Sequence, residues 1–303
     1  MTVMGDSHPI ETSVGERAGL PRVSVIIPAY NEEQSIAGVL RQMRALPFNP
    51  EIIVVDDGSR DRTGEIAAAE GARVLCHPIN RGYGAALRTG IRAATGDLVA
   101  FIDADGQHEA GDLARLVEHI TRHGYDMVVG ARPWNSGAWH RNLANWIYNR
   151  FASYITGTRV QDLNSGLRVI RASLVKSMCY LLPNTFSAST TMTLAVARGG
   201  FGTDWVPIHV KPRIGKSKIS LLRDGARFFV IMTRITMLFS PLKVLGPLGL
   251  LVAAPGFFYA IYRLLIGRNW TIPITISLTM GALILVLGLI SEQIATLRLQ
   301  RME

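Results

Sequence analysis

Two long runs without charged residues constrain the fold of this chain more than any other feature. Residues 244–262 (VLGPLGLLVAAPGFFYAIY) and 270–290 (WTIPITISLTMGALILVLGLI) contain no Asp, Glu, Lys or Arg. Each run has about 20 residues, enough for a helix to cross the roughly 30 Å hydrocarbon core of a bilayer. Prolines in these runs are compatible with spanning, because membrane helices tolerate proline. The sequence predicts two transmembrane helices, and the alternative is a buried hairpin in a soluble protein.

Basic residues lie mainly on one side of the predicted hairpin. The net charge is +9, and the loop between the two runs carries only Arg263 and Arg268. With two transmembrane helices, the chain would be an integral membrane protein. By the positive-inside rule, both flanking portions should face the cytoplasm, including the long N-terminal portion. No nucleic-acid-binding motif accompanies the basic charge, so we expect no nucleic-acid partner. The flanking basic residues are Lys211, Arg213, Lys216, Lys218, Arg223, Arg227, Arg234, Lys243, Arg298 and Arg301.

Strand-like and helix-like segments alternate regularly from residue 22 onward. Short apolar runs at 22–28, 51–59, 72–77, 97–105 and 125–132 are separated by helical patterns. This alternation indicates parallel βαβ units and a sheet covered on both faces, in which ligands gather at the carboxyl ends of the strands. We therefore predict an α/β domain with a mostly parallel, Rossmann-like sheet over residues 22–218.

Two further segments complete the predicted organisation. Residues 1–21 are polar and lack the apolar segment of a signal peptide, so we expect a flexible tail. Residues 219–240 place arginines among apolar neighbours, which favours an amphipathic helix in the membrane interface; packing on the globular domain is the alternative. The two transmembrane helices and a short tail would then occupy 241–303.

Carboxylates follow two of the predicted strands. Asp103 and Asp105 flank a single alanine at the end of the fourth strand, and Asp56 and Asp57 close the second. Carboxylate oxygens suit Mg²⁺ or Mn²⁺, which is commonly shared with substrate phosphates. A polar turn would explain either pair alone, since Asp and Gly are favoured there. Their occurrence at strand ends of one sheet favours a binding site.

Four motifs in the first half of the chain are similar to one enzyme family. "VSVIIPAYNEE", "IIVVDDGSRDRT", "NRGYGAALRTGI" and "AFIDADGQH" resemble the family 2 glycosyltransferases of the GT-A fold. "GLRVIRASLV", "IGKSKISLLRDG" and the two apolar runs resemble a narrower group, the polyprenyl-phosphate glycosyltransferases, which includes dolichyl-phosphate mannose synthases and undecaprenyl-phosphate glucosyltransferases. The chain lacks the Gln-x-x-Arg-Trp motif of processive synthases.

The resemblance assigns donor-binding roles to residues after the first two strands. Asp57 matches the carboxylate that recognises the base of the nucleotide. Pro28, Tyr30 and Glu32 fall in the loop that contacts the nucleotide. The base itself stays open, because uracil and guanine can both pair with a carboxylate.

The resemblance also assigns the metal site. Asp103 and Asp105 match the Asp-x-Asp pair that holds Mg²⁺ or Mn²⁺, with Asp105 the stronger ligand candidate. Ala104 lies between them and Gln107 beside them, both at the donor. His108 follows closely, and its neighbours indicate an exposed helix start rather than a metal ligand.

A third group of residues is expected, from the resemblance, to bind the phosphate groups. Arg132, Arg141, Arg213 and Lys218 match positions that cradle phosphate groups, although the match of Arg141 is looser. Asp162 matches an aspartate ahead of a Ser-Gly pair, where it acts as a base or orienting group or instead pairs with an arginine.

The resemblance implies inverting transfer of a hexose from UDP or GDP to polyprenyl phosphate, either undecaprenyl or dolichyl. A dimer or tetramer on the bilayer is a further possibility that the sequence leaves open. Two alternatives remain at this stage: a membrane-anchored enzyme with a soluble glycan or protein acceptor, and a non-catalytic scaffold subunit.

Overall fold

The computed structural model describes residues 21–133, 139–210, 233 and 236–300, with only the backbone for 139–145. A seven-stranded mixed sheet forms the centre of the portion that precedes the two apolar runs. The strands are β1 (Val23–Ala29), β2 (Glu51–Asp56), β3 (Arg73–Cys76), β4 (Leu98–Phe101), β5 (Met127–Ala131), β6 (Arg168–Arg171) and β7 (Thr203–Pro207). Their spatial order is β3-β2-β1-β4-β6-β5-β7.

Helices join and cover the strands. They are α1 (Ile36–Arg44), α2 (Thr63–Ala69), α3 (Tyr83–Ala93), α4 (Ala110–His123), α5 (Trp139–Thr156), α6 (Ala172–Ser177) and α7 (Ser187–Arg198), with one 3₁₀ turn at Cys179–Leu181. Two long helices follow, α8 (Leu242–Leu265) and α9 (Ile272–Gln300).

The sheet is mostly parallel, as the sequence predicts. β1, β2, β3 and β4 pair in parallel, and β7 is parallel to β5. β6 alone runs antiparallel to both of its neighbours, β4 and β5. The sequence analysis does not predict strands β6 and β7. In the case of β6, the strand has only four residues and begins and ends with arginine.

Apolar side chains pack on both faces of the sheet. Along β1, Val23, Val25 and Ile27 contribute to one core, which also includes the buried sides of α1 and α4. Ile26 points to the other core, beneath α3, α6 and α7. This alternation follows from the two-residue period of a strand. The result is a three-layer α/β arrangement, which confirms the predicted α/β domain with a mostly parallel sheet.

The two apolar runs form a helical hairpin. Helices α8 and α9 have 24 and 29 residues, and both are long and apolar enough to cross a membrane. Large side chains such as Leu251 and Leu283 are exposed on its outer surface, which fits lipid and disfavours the buried hairpin of a soluble protein. The hairpin prediction is therefore supported, but the second helix is longer than predicted: it continues beyond residue 290 to Gln300.

Other predicted segments lie largely outside the described residues. These are the tail at 1–21 except Pro21, most of the interface helix at 219–240, and residues 301–303. The predicted domain boundaries therefore stay predictions.

Candidate active site

The carboxyl ends of β1, β2 and β4 meet at one edge of the sheet. In the register of β1 and β2, Ala29 lies beside Asp56, and in that of β1 and β4, Ile26 lies beside Phe101. The segments that follow these strands therefore surround a common space. A cavity of about 600 Å³ opens there. The predicted site residues that line it are Pro28, Tyr30, Glu32, Asp57, Asp103, Ala104 and Asp105.

The loop after β1 is fixed to the loop after β2. Asn31 has a positive φ of 56°, a conformation that asparagine tolerates better than most residues. Its backbone N–H donates to Ser59 Oγ at 3.0 Å, and its side-chain oxygen accepts from the backbone N–H of Arg60 at 2.8 Å. These bonds hold the neighbouring Tyr30 ring, which is partly exposed, at the rim of the cavity.

Asp57 is buried at the cavity wall and organises the loop before α3. Its carboxylate accepts from the backbone N–H groups of Arg81 at 2.9 Å and Gly82 at 2.8 Å. His77 Nδ1 lies 2.6 Å from Asp57 Oδ1. A carboxylate offers about four acceptor positions, so these three contacts leave room for a ligand. Base recognition by Asp57 stays a prediction, and the structure adds that Asp57 also positions the glycine loop.

Asp103 lies at the floor of the cavity in confined surroundings. Tyr83 donates its hydroxyl to Asp103 Oδ1 at 3.2 Å. A Cβ atom at Gly166 would lie 2.1 Å from Asp103 Oδ2, so only glycine leaves space for this carboxylate. Burial raises the pKa of Asp103, and the nearby charge of Asp105 adds to that shift. A cation that bound here would relieve both effects.

The paired carboxylates fit a divalent cation shared with a substrate. Asp103 and Asp105 both line the cavity. Among the described residues, no three His, Cys, Asp or Glu side chains form a complete ligand set. Mg²⁺ is usually held by one or two carboxylates together with substrate phosphates, so two carboxylates match that pattern. Gln107 is not among the cavity-lining residues; its backbone N–H donates to Asp105 Oδ1 at 3.1 Å.

Asp162 pairs with Arg132, which is one of the two roles that the sequence left open. Arg132 Nε and Nη2 lie 2.7 and 2.9 Å from the two carboxylate oxygens, and the Arg132 backbone N–H donates at 3.1 Å. Asn164 N–H donates a fourth bond at 3.2 Å. The hydrogen bonds to Asp162 raise the pKa of Arg132 and keep it charged. With its acceptor positions in use, Asp162 is better suited to orienting Arg132 than to removing a proton.

Arg168 is a functional candidate that the sequence analysis does not single out, although it lies in the quoted motif GLRVIRASLV. It is 1% exposed, and its guanidinium donates to the backbone oxygen of Ser189 at 2.6 Å and to Thr193 Oγ1 at 3.0 Å. It also donates to the backbone oxygen of Ser165. Its Nε has no partner among the described residues. Burial lowers the pKa of Arg168, and the nearby carboxylates of Asp162 and Asp103 oppose that shift.

The structure corrects one expectation and leaves three residues undescribed. His108 is buried, not exposed at a helix start, and burial lowers its pKa so that the neutral imidazole is favoured. Arg213 and Lys218 lie outside the described residues, and for Arg141 only the backbone is described. Cavity-lining residues missed in the sequence include Asn80, Tyr83, Gly166, Phe186 and Ser189. Of these, Asn80, Tyr83 and Gly166 belong to quoted motifs, which was the available signal.

A mostly parallel sheet with paired carboxylates beside a nucleotide-sized cavity defines the class: a glycosyltransferase of the GT-A type. Solved structures of this class are similar to the chain in fold. Glucosyl-3-phosphoglycerate synthase from Mycobacterium tuberculosis, in complex with Mn²⁺, UDP-glucose and phosphoglyceric acid, matches with a TM-score of 0.57 at 24% identity, over 71% of this chain and 79% of that one. Mannosyl-3-phosphoglycerate synthase from Rubrobacter xylanophilus matches with a TM-score of 0.55 at 22% identity, over 71% and 72% of the two chains.

Sequence similarity defines the family of this chain more narrowly than similarity of fold does. The profile of glycosyl transferase family 2 matches residues 24–178, and that of the GtrB C-terminal hairpin matches residues 240–297. The undecaprenyl-phosphate 4-deoxy-4-formamido-L-arabinose transferase of Serratia proteamaculans is 32% identical over 83% of this chain and 80% of its own length. The protein of the same name from Aeromonas hydrophila is 32% identical over 90% of this chain and 88% of its own. The chain belongs to glycosyl transferase family 2.

Proposed function

We propose that this enzyme transfers a hexose, with inversion, from a UDP- or GDP-linked donor to the phosphate of undecaprenyl or dolichyl phosphate. The observation that carries the proposal is the combination, in one chain, of a carboxylate-lined cavity at the sheet edge and a hairpin of membrane-spanning dimensions. Relatives named as undecaprenyl-phosphate sugar transferases support the lipid acceptor. The positive-inside rule supports placing the cavity on the cytoplasmic face.

The residues of the cavity would support a direct displacement. Asp103 and Asp105 would hold Mg²⁺ or Mn²⁺, which when bound stabilises negative charge on a diphosphate. Tyr30, Asp57 and Pro28, which line the same cavity, would hold the nucleoside. The acceptor oxygen then attacks the anomeric carbon as the bond to the nucleoside diphosphate breaks, and one such displacement inverts the configuration.

The acceptor's own ionisation removes the need for a strong base. A phosphate monoester has a second pKa near 6 and is mostly a dianion at neutral pH. Asp162 can therefore serve by orienting Arg132, whose fixed charge would favour the attacking phosphate. Arg141, Arg213 and Lys218 are proposed to complete the cationic cradle.

Transfer of radiolabelled sugar tests the proposal. The full chain in lipid nanodiscs is incubated with Mn²⁺, undecaprenyl phosphate, and a panel of UDP- and GDP-linked hexoses plus the UDP-linked formamido-arabinose. We expect label in the organic phase with at least one hexose donor. Label from the formamido-arabinose donor alone, which carries a pentose, would keep the lipid acceptor but overturn the proposed hexose. Failure with every donor, or transfer only to a water-soluble acceptor, would contradict the proposal.

Asp105→Asn tests the metal role within the same assay. Losing one cation ligand should lower kcat/KM by about 100-fold or more, since electrostatic groups at reacting phosphates contribute on that scale. Asp97→Asn is the matched control, because Asp97 makes an exposed ion pair with Arg22 remote from the cavity. Near-normal turnover of the Asp105 variant would remove the proposed role.

A further inference from the structure

Three charged side chains join the helical hairpin to the catalytic portion. Glu292 lies on α9, Lys243 on α8 and Arg198 at the end of α7. We call these residues the junction cluster. Arg198 donates to Glu292 and to the backbone oxygen of Phe239, which precedes α8. Lys243 donates to the backbone oxygen of Ile155 near the end of α5.

Glu292 connects three helices through its two oxygens. Its Oε1 accepts from Arg198 Nη2 at 2.8 Å, and its Oε2 accepts from the backbone N–H of Leu242 at 3.1 Å. Leu242 is the first residue of α8, where unpaired backbone N–H groups and the helix dipole favour a negative charge. One carboxylate thus ties the start of α8 to both α9 and α7.

Arg198 carries this connection to the cavity. Helix α7 ends at Arg198, and its first turn contains Ser189, which lines the cavity. With 12 residues, the helix spans about 18 Å. Arg198 Nε also donates to the backbone oxygen of Phe239, just before α8, at 3.3 Å. Helix α7 is therefore a rigid link between the donor cavity and the hairpin.

Lys243 provides a second connection through α5. Its ammonium group donates to the backbone oxygens of Tyr154 and Ile155, at 2.6 and 2.8 Å, where the end of a helix favours a cation. Farther back on α5, Asn149 Oδ1 accepts from Leu163 N–H at 3.1 Å, next to Asp162. The hairpin thus also contacts the helix that supports the Asp162–Arg132 pair.

We propose that the Arg198–Glu292 ion pair is a positioning element that fixes the donor cavity relative to the hairpin, so that a phosphate held at the bilayer surface can reach it. The consequence for catalysis rests on the proposed lipid acceptor. Both side chains are shielded, with 31% and 21% of their surface exposed. Shielding makes the pair less subject to screening than a surface ion pair.

Glu292→Gln tests the proposal in full-length protein in nanodiscs. It keeps the side-chain shape and removes the charge. We expect kcat/KM for undecaprenyl phosphate in the bilayer to fall at least tenfold. Transfer to a short, water-soluble prenyl phosphate and the KM of the donor should stay within about twofold, since the cavity itself is intact. Glu118→Gln is the matched control, because Glu118 pairs with Arg122 on the exposed surface of α4.

An activity-independent measurement accompanies the kinetics. Nitroxides at Arg62→Cys and Leu265→Cys, both exposed, report the distance between the catalytic portion and the hairpin in a Cys76→Ser background. We expect one narrow distance distribution for the parent and for Glu118→Gln, and a broader one for Glu292→Gln. An unchanged distribution, or equal losses with both acceptors, would overturn the proposal. If the parent used neither acceptor, the proposed function would fail, while the distance distribution would still decide the positioning role.

Discussion

Asp103 shows how closely a single side chain in this site depends on its neighbours. Its carboxylate lies against Gly166 on one side and accepts a hydrogen bond from Tyr83 on another. Arg168 places a buried positive charge nearby. Because the carboxylate has little freedom, its orientation toward a cation is set before any ligand arrives, which lowers the cost of binding.

Gly166→Ala should therefore impair the cation site without touching either carboxylate. The added methyl would lie 2.1 Å from Asp103 Oδ2 and force the side chain to move. We expect binding of Mn²⁺ and UDP, measured by calorimetry, to weaken at least about tenfold, or ~1.4 kcal/mol.

Gly38→Ala is the control for this substitution. Gly38 lies within α1 and a Cβ there would meet no atom within 4 Å, so the same chemical change should leave binding unaltered. Equal binding by both alanine variants would contradict the proposed confinement of Asp103.

Site residues that directly follow strands can be predicted from the sequence, whereas site residues brought in by tertiary contacts cannot. Asp57, Asp103 and Asp105 were identifiable because apolar runs end immediately before them. Arg168 was not, since its burial depends on α7, more than 20 residues away. His108 was misjudged for the same reason: its neighbours in sequence are polar, but its neighbours in space bury it.

At the scale of elements, the hairpin is held together by close backbone contact. A Cβ at Gly281 would lie 2.6 Å from the Ala253 Cβ and 2.7 Å from the Gly249 oxygen. A Cβ at Gly249 would in turn lie 2.8 Å from Leu285 Cγ. Small residues that let helix backbones approach are a main source of association in lipid, where the hydrophobic effect does not act between helices.

Gly281→Ala should loosen this packing. Overpacking of a tight contact costs about 1–3 kcal/mol, so we expect a lower thermal unfolding midpoint for the hairpin in nanodiscs. Gly246→Ala is the control, because the nearest atom to a Cβ there, Leu242 Cδ1, is 3.8 Å away at an ordinary contact distance. Identical midpoints for the two variants would show that the close approach does not stabilise the hairpin.

Elements with a strong period were the ones that the sequence could predict. The two charge-free runs predict both long helices, and the alternation of apolar runs with helical patterns predicts β1 through β5. β6 is not predicted, because its four residues, RVIR, are too few to show a period and begin and end with arginine, although Val169 and Ile170 are fully buried. Its antiparallel insertion between β4 and β5 is decided by pairing across the sheet, which no local pattern encodes.

At the scale of the whole molecule, α9 belongs to both parts of the structure. Its 29 residues extend about 43 Å, more than the hydrocarbon core requires. The last turns pack on the catalytic portion: Leu299 contacts its core, and Tyr180 donates its hydroxyl to the backbone oxygen of Arg298 at 2.7 Å. The charge-free run at 270–290 predicts only a membrane span, and the helix continues past that run to Gln300.

Leu299→Ser should destabilise the catalytic portion, although the residue lies in the hairpin. Partial loss of an apolar contact of this size costs about 1 kcal/mol, and limited proteolysis of the catalytic portion should proceed correspondingly faster. Leu297→Ser is the control, because Leu297 is 63% exposed on the same helix. Equal proteolysis rates for these two serine variants would count against the packing role.

The contact of Leu299 with the catalytic core also constrains the order of events during synthesis. A ribosome reaches this residue only after both apolar runs have been translated, because Leu299 follows them in the chain. Until then, the part of the catalytic core that Leu299 covers lacks this contact.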